Sequence, residues 1–272
     1  MSKILFSQRH PIFYFVAVWL KRLSRYRDWY MGQKKYAYLH KTDTLPFRVK
    51  KHQSVLIRKL GDSEMYLQYN KVINLQIALK HIDGIVIRPG ETFSFCKLVG
   101  LPTRRKGYLL GMEISNGMAR PGIGGGLCQL SNLIYWMIIH SPLKVIERHH
   151  HSFDPFPDNG RVLPFGSGAT VFYNYRDLQF TNETPYTFQI HLCLSEKHLE
   201  GELRVSNELN HTYHVFEQDH QFLKIDNEYY RTNTIWRKKL DKTRGNTLEV
   251  ELITKNFVKV KYIPTNFESS FL

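Results

Sequence analysis

The sequence predicts an α+β protein, and three features of the chain support this prediction. A basic N-terminal segment has a helical pattern, the middle of the chain mixes helical and strand patterns, and the C-terminal part alternates polar and apolar residues as antiparallel strands do. The chain has 272 residues and is 42% hydrophobic and 23% charged, which is typical of a folded protein. We therefore divide it into a basic, aromatic N-terminal segment (1–54), a mixed core (55–206) and a β-rich C-terminal extension (207–272).

The N-terminal segment carries most of the net charge. The whole chain has a formal net charge of +14, and residues 1–51 hold twelve basic and two acidic residues, a net charge of +10. Such a segment, with aromatic residues between the charges, suits membrane headgroups, a polyanionic wall polymer or nucleic acid. Nucleic acid is the least favoured, because no zinc-finger, recognition-helix or RNP pattern accompanies the charge. A solvated basic helix that binds nothing is the alternative.

The apolar stretch "PIFYFVAVWL" (11–20) lies inside this basic segment. It is shorter than the ~20 apolar residues that span a bilayer, and no small-residue cleavage site follows it. It therefore predicts an interfacial helix rather than a membrane span or a secretory signal. Cys96, Cys128 and Cys193 form no CxxC pair, which argues against a disulfide framework or a zinc site and predicts no metal or other cofactor. We expect a cytoplasmic protein, peripheral on the inner face of the membrane.

The remaining elements follow from periodicity and turn residues. Apolar spacing that stops at a glycine predicts a helix over 70–84, and a Pro-Gly turn separates two strands within 85–95. The other predictions are a loop over 115–126, a buried helix over 127–139, a strand that runs into a loop over 143–152, an extended loop over 153–168, and strands from 169 onward beginning with "ATVFYNY".

The stretch "GGGLC" places three glycines just before a cysteine at the start of the buried helix. Gly124, Gly125 and Gly126 permit positive φ and the close approach of a backbone or a ligand. A thiol in the first helical turn lies near unpaired amides and the positive end of the dipole, which favours the thiolate and predicts a lowered pKa for Cys128. The same amides could hold an oxyanion. The alternative is structural packing, because free cysteines are usually buried. Cys96 and Cys193 are predicted to be small core residues.

A base for such a thiol is available in "ERHHHS" (147–152). On a strand, His149 and His151 would point to one face and His150 to the other. Either residue of the first pair could accept the proton of Cys128, with Glu147 close by in the sequence. Histidines in loops are otherwise commonly just solvated.

At these residues the chain resembles the VanW family. The resemblance rests on "IRPGETFSF" (87–95), "GGGLCQLSNLIYW" (124–136), "ERHHHS" (147–152) and "DLQFTNET" (177–184), and it covers about 85–205. It implies a role in the cell envelope of Gram-positive bacteria or in glycopeptide resistance, with no assigned biochemical activity. The family's motif positions fall on Gly124, Gly125, Gly126, Cys128, Gln129, Ser131, Glu147, Arg148, His151 and Asp177. Many relatives carry an aspartate where this chain has Gly168.

Two function classes remain open at this point, and a third concerns the N-terminal segment. In the first, Cys128 attacks the carbonyl of a peptidoglycan-related peptide as an amidase, peptidase or acyltransferase. There, His151 or His149 moves the proton, Asp177 or Glu147 orients the ring, and Gln129 or the first-turn amides hold the oxyanion. In the second, the glycine loop and Arg148 bind an anionic wall precursor without turnover. The third is a membrane-surface scaffold that uses residues 1–51.

Overall fold

The computed structural model describes residues 10–58, 64–115, 118–151, 153–155, 157–158, 162–264 and 268–269. The helices are α1 (Pro11–Tyr30), α2 (Met65–Leu79), α3 (Phe95–Val99) and α4 (Cys128–Ile138). The strands are β1 (Lys35–Tyr36), β2 (Phe47–Val55), β3 (Ile85–Ile87), β4 (Glu91–Ser94), β5 (Leu110–Ser115), β6 (Met118–Ile123), β7 (Lys144–Glu147), β8 (Phe153–Asp154), β9 (Gln179–Thr181), β10 (Phe188–Leu194), β11 (His198–Val205), β12 (His211–Ile225), β13 (Glu228–Asp241), β14 (Thr247–Val260) and β15 (Glu268–Ser269). The α+β prediction is confirmed.

Two four-stranded sheets and helix α4 form the core. One sheet has the order β2-β11-β10-β3, and the other has the order β1-β4-β9-β7. Helix α4 is apolar on nearly every side and lies against β2 and β11, where Gly201 leaves room for Leu133 and Met137. Its central residues are fully buried, as predicted for a helix that is hydrophobic all round.

The C-terminal strands form a third, mostly antiparallel sheet. Strands β12, β13 and β14 make a long meander, with β15 and β8 added in parallel at its two edges. The apolar side chains of Leu209, Val215 and Ile235 belong to the same hydrophobic cluster as the central core residues. The C-terminal strands thus pack on the core through part of one face.

Helix α1 confirms the predicted helical N-terminal segment from Pro11 onward, while residues 1–9 lie outside the described part. The ring of His10 accepts a hydrogen bond from the amide of Ile12 and caps the helix. Among the described residues, no helix is long and apolar enough to cross a membrane.

Three local predictions were wrong. Helix α2 begins and ends five residues earlier than predicted, and residues 80–84 form a turn after it. The predicted loop over 115–126 contains strand β6, which pairs with β5 as a hairpin. The predicted strand at 169–175 consists of turns with a single bridge between Phe172 and Arg176, because its backbone groups bond elsewhere.

Candidate functional site

The glycine loop before α4 is occupied by the protein's own chain. Gly124 and Gly126 have φ values of 79° and 96°, a region that disfavours side chains. A Cβ on Gly125 would lie 2.2 Å from the backbone of Gly111 in β5, and a Cβ on Gly126 would lie 2.1 Å from the side chain of Lys71. The glycines therefore allow the β5–β6 hairpin and α2 to approach this loop.

Helix α4 begins at Cys128, one residue after the predicted start, and several amides of its first turn already donate hydrogen bonds within the chain. The amide of Gln129 donates to the carbonyl of Gly126 at 3.0 Å, and the amides of Leu130 and Ser131 donate to the carbonyl of Leu127. An oxyanion at this turn would have to use the amides that precede these three.

The prediction of a lowered pKa for the Cys128 thiol was wrong. Burial raises the pKa, and the nearby Glu113 carboxylate adds to this, outweighing the carbonyl of Val171 and the charge of Arg176. The thiol donates to that carbonyl at 3.7 Å, and among the described residues no hydrogen bond joins it to a histidine ring. Burial disfavours the charged thiolate more strongly here than the helix dipole favours it.

Three other motif residues form hydrogen bonds to neighbouring segments: Gln129 and Ser131 on α4, and Arg148 directly after β7. The Gln129 side chain donates to Ser54 and to the carbonyl of Val55, which joins α4 to β2. The Ser131 hydroxyl donates to the carbonyl of Ala169 at 2.6 Å. The third residue, Arg148, uses its guanidinium within the chain.

The Arg148 guanidinium is committed to the loop before residue 169 and to β14. It donates to the carbonyl of Gly168 at 2.8 Å, to the carbonyl of Gly166 and to Thr254, and it lies over the ring of Tyr135. Arg148 thus has little remaining capacity to bind an external anion. At Gly168 an added Cβ would lie 2.7 Å from Asn132, whose side chain accepts from the next amide of the chain.

A half-buried cluster around the Glu147 carboxylate joins α1 to the core. The Arg25 guanidinium donates both terminal nitrogens to Glu147 at 2.6 Å each, and Glu147 also contacts His149 at 3.1 Å and accepts from the amide of Asp177. Burial alone would raise the pKa of Glu147, but the hydrogen bonds and charge of Arg25 hold it below its ordinary value.

Asp177, which is 0% exposed, organises the chain beside this cluster. Its carboxylate accepts from the Ser94 hydroxyl at 2.5 Å, the Cys96 amide at 2.8 Å and the Gln179 side chain at 3.0 Å. Burial raises its pKa despite these donors, with the negative charge of Glu147 acting in the same direction. Asp177 therefore holds β4, α3 and β9 together, and its described contacts include no histidine.

The histidines do not share a strand face, because β7 ends at Glu147 and they follow it. His149 contacts Glu147, and the ring of His150 contacts the carbonyl of His151. Burial, assisted by the charges of Arg176 and His150, lowers the pKa of His151 to about 4. His151 and Cys128 both sense the charge of Arg176, while Ser152 of the motif lies outside the described residues.

The sequence reasoning missed Lys71 and Gln68, which lie on α2 against the glycine loop. Lys71 is 7% exposed, and its ammonium donates to the Gln68 side-chain oxygen at 2.7 Å. Burial and the charge of Arg58 lower the pKa of Lys71 to about 8. The Gln68 Nε2 is buried and has no hydrogen-bond partner among the described residues. The signal available in the sequence was a lysine, Lys71, among the apolar residues of the predicted helix over 70–84.

Cys96 and Cys193 were both predicted to be core residues, and the structure agrees only for Cys96. Cys96 is buried, and burial raises its pKa well above the ordinary value. Cys193 is exposed on β10, so its prediction as a core residue was wrong. In the described ranges, no group of three or more His, Cys, Asp or Glu side chains is placed to hold a metal ion.

Comparison with known proteins agrees with the motif resemblance. The family model described as VanW like protein matches residues 70–204. The chain is 30% identical over 219 residues to the vancomycin B-type resistance protein VanW of Enterococcus faecalis, covering 80% of each chain. It is also 35% identical over 113 residues to the uncharacterized protein YoaR of Bacillus subtilis, covering 40% of this chain and 35% of that protein. No solved structure matches. The chain therefore belongs to the VanW family.

Proposed function

We propose that this protein serves glycopeptide resistance in the cell envelope as a module that binds an anionic group of a peptidoglycan precursor, either a carboxylate or a phosphate. The name of the Enterococcus faecalis relative, a vancomycin resistance protein, supports the envelope role. The observation that carries the binding role is the buried ammonium of Lys71. Its one hydrogen-bond partner among the described residues is a neutral amide, and the nearby charge of Arg58 is also positive.

A buried ammonium without a carboxylate partner gains stability from an incoming anion. Removing a charge from water is costly, and a counter-ion with good hydrogen-bond geometry offsets much of that cost. The Nε2 of Gln68, which has no hydrogen-bond partner among the described residues, lies on the same amide as the oxygen that Lys71 contacts, so it can donate to the same anion. This pair supplies one charged and one neutral donor.

The glycine loop adds to this site by letting the Lys71 stem lie against the backbone that leads into α4. The closest approach is at Gly126, two residues before the helix begins. The N-terminal end of an α-helix favours negative charge through its dipole. In this proposal Lys71 takes the role that the sequence analysis gave to Arg148, whose donors are used within the chain.

The test compares binding of an acetylated peptidoglycan stem peptide that ends in a free carboxylate with binding of the same peptide carrying a terminal amide. Inorganic phosphate is titrated as a third probe. We expect calorimetry to detect the carboxylate peptide or phosphate, and Lys71→Gln to weaken that binding about tenfold or more, since a charged hydrogen bond contributes about 1.5–3 kcal/mol. Lys80→Gln, an exposed lysine at the end of the same helix, is the matched control.

Equal binding by wild type and Lys71→Gln would overturn the proposal. It would also be overturned if the amidated peptide bound as tightly as the peptide with a free carboxylate and phosphate did not bind. Cys128→Ala should bind as tightly as wild type, because the thiol is not a ligand in this account. A loss of binding in Cys128→Ala with an intact fold would contradict the account as well.

A thiol-dependent acyl hydrolase or transferase is the second candidate, and one observation favours it. His151 is neutral at pH 7 because its pKa is about 4, so its imidazole is available to accept a proton. In this candidate Cys128 is the nucleophile acting on a peptidoglycan-related peptide.

Iodoacetamide alkylation separates the two candidates when it is measured against pH in a Cys193→Ser background, since Cys193 is exposed. The raised pKa of Cys128 leads us to expect alkylation of Cys128 only well above pH ~8.5, and slowly, in the native state. Rapid alkylation of Cys128 near neutral pH would favour the enzyme instead.

A further inference from the structure

Helix α1 presents an apolar stripe to solvent, whereas an ordinary surface helix turns its apolar stripe toward the core. The outward stripe consists of Ile12, Val16, Trp19, Leu20 and Leu23, which follow the i, i+4, i+7, i+8, i+11 spacing of one helical face. These side chains are 62%, 42%, 43%, 62% and 57% exposed. A contiguous exposed patch of this kind marks an interaction surface.

The opposite face of α1 is fixed to the core by polar and aromatic contacts. Arg25 forms the two hydrogen bonds with Glu147, and Tyr26 contacts the hydroxyl of Tyr173 at 3.0 Å. Trp29 is 6% exposed and packs edge-on against Tyr173. These contacts set the rotation of the helix, so the outward stripe faces away from the core.

Positive charge accompanies the outward stripe. Lys21 and Arg27 are exposed on the same helix, and Lys34 and Lys35 are exposed just after it. Asp28 is the one acidic residue within α1. Apolar side chains together with nearby lysine and arginine are the two signals that hold a helix in the plane of an anionic bilayer surface.

We infer that α1 seats this protein on an anionic lipid bilayer, lying in the interface with the outward stripe at the boundary of the acyl chains. The charges favour lipid over a second copy of this chain, because two copies of α1 brought together would oppose like charges. This inference is independent of the anion site at Lys71, because α2 does not contribute to the stripe.

The experiment measures flotation of the full chain with phosphatidylcholine vesicles, with and without phosphatidylglycerol. We expect binding to the anionic vesicles and a loss of about tenfold or more in partitioning for Leu20→Gln/Leu23→Gln. The matched control is Leu248→Gln/Val250→Gln, which changes two exposed apolar residues on β14 and should bind as wild type does.

A second measurement does not depend on the double variant. Trp29 and Trp136 are buried and Trp236 is half-buried, so a blue shift of tryptophan emission on adding anionic vesicles should arise from Trp19 and disappear in Trp19→Phe. Unchanged partitioning of the stripe variant, an equal loss in the β14 control, or equal binding to neutral vesicles would overturn the inference. So would sedimentation showing a wild-type dimer, without lipid, that the stripe variant converts to a monomer.

Discussion

Replacement of Lys71 by methionine tests the electrostatics on which the proposed function depends. The pKa of Lys71 is lowered from 10.5 to about 8, chiefly by burial. Each unit of pKa is equivalent to about 1.4 kcal/mol, so the buried ammonium costs about 3 kcal/mol of folding free energy at pH below 8. Between pH 8 and 10.5 the unfolded chain holds the proton and the folded chain does not, so stability contributed by this group rises with pH.

The assay is urea unfolding of wild type and Lys71→Met, followed by circular dichroism in buffers free of phosphate and carboxylates. Methionine has a similar length and no charge. From about pH 7 to about pH 10 the wild type should gain roughly 2.5 kcal/mol relative to the variant. A difference between the two proteins that does not change with pH would refute the lowered pKa of Lys71 and, with it, the buried cation.

Two further predictions concern the fold around the site. Arg25→Met should destabilise the protein by about 1–3 kcal/mol at neutral pH, because it leaves the half-buried Glu147 carboxylate without its bidentate partner. This loss should shrink as the pH falls through the lowered pKa of Glu147, since the contribution of that ion pair is present above the ordinary pKa and lost in acid. Gly125→Ala should cost about 2–4 kcal/mol in thermal or urea unfolding, because its Cβ would lie 2.2 Å from the backbone of Gly111.

Controls and contrary outcomes are available for both. An effect of Arg25→Met that stays constant down to acid pH would show that lost packing, not charge, is responsible. Gly90→Ala is the control for Gly125→Ala, because Gly90 has open space around it but a φ of 78°. Its cost should be about 1 kcal/mol. A smaller cost at Gly125 than at Gly90 would contradict the close backbone contact.

Elements with a strong local pattern were predictable from the sequence. Helix α4 follows from a long apolar run after a glycine turn, and β12, β13 and β14 follow from alternation between turns. Residues 169–175 were misassigned because their β-branched and aromatic residues pair with no strand in the part of the chain that the structure describes. Their carbonyls accept instead from Ser131 at Ala169 and from Cys128 at Val171.

The candidate site was less predictable, because its key contacts join residues far apart in the chain. Lys71 stands on α2, where a lysine would be expected to face water, and the close approach of Gly126 to its side chain is not visible in the sequence. The Cys128 pKa was predicted in the wrong direction because the sequence indicates the helix start but not that the surrounding chain removes the thiol of this half-buried residue from water. The contact of Arg25 with Glu147 spans 122 residues and has no local signature.

The pairing of β2 with β11 affects how this chain folds during translation. Phe47 lies opposite Val205, so a strand synthesised early waits for a partner that is translated more than 150 residues later. The meander of β12, β13 and β14, by contrast, needs only neighbouring hairpins. Long-range pairing is slow and leaves strand edges exposed until it is complete. The sheet that contains β2 therefore cannot be completed on the ribosome before residue 205 has been translated, and until then the edge of β2 is open to chaperones and to aggregation.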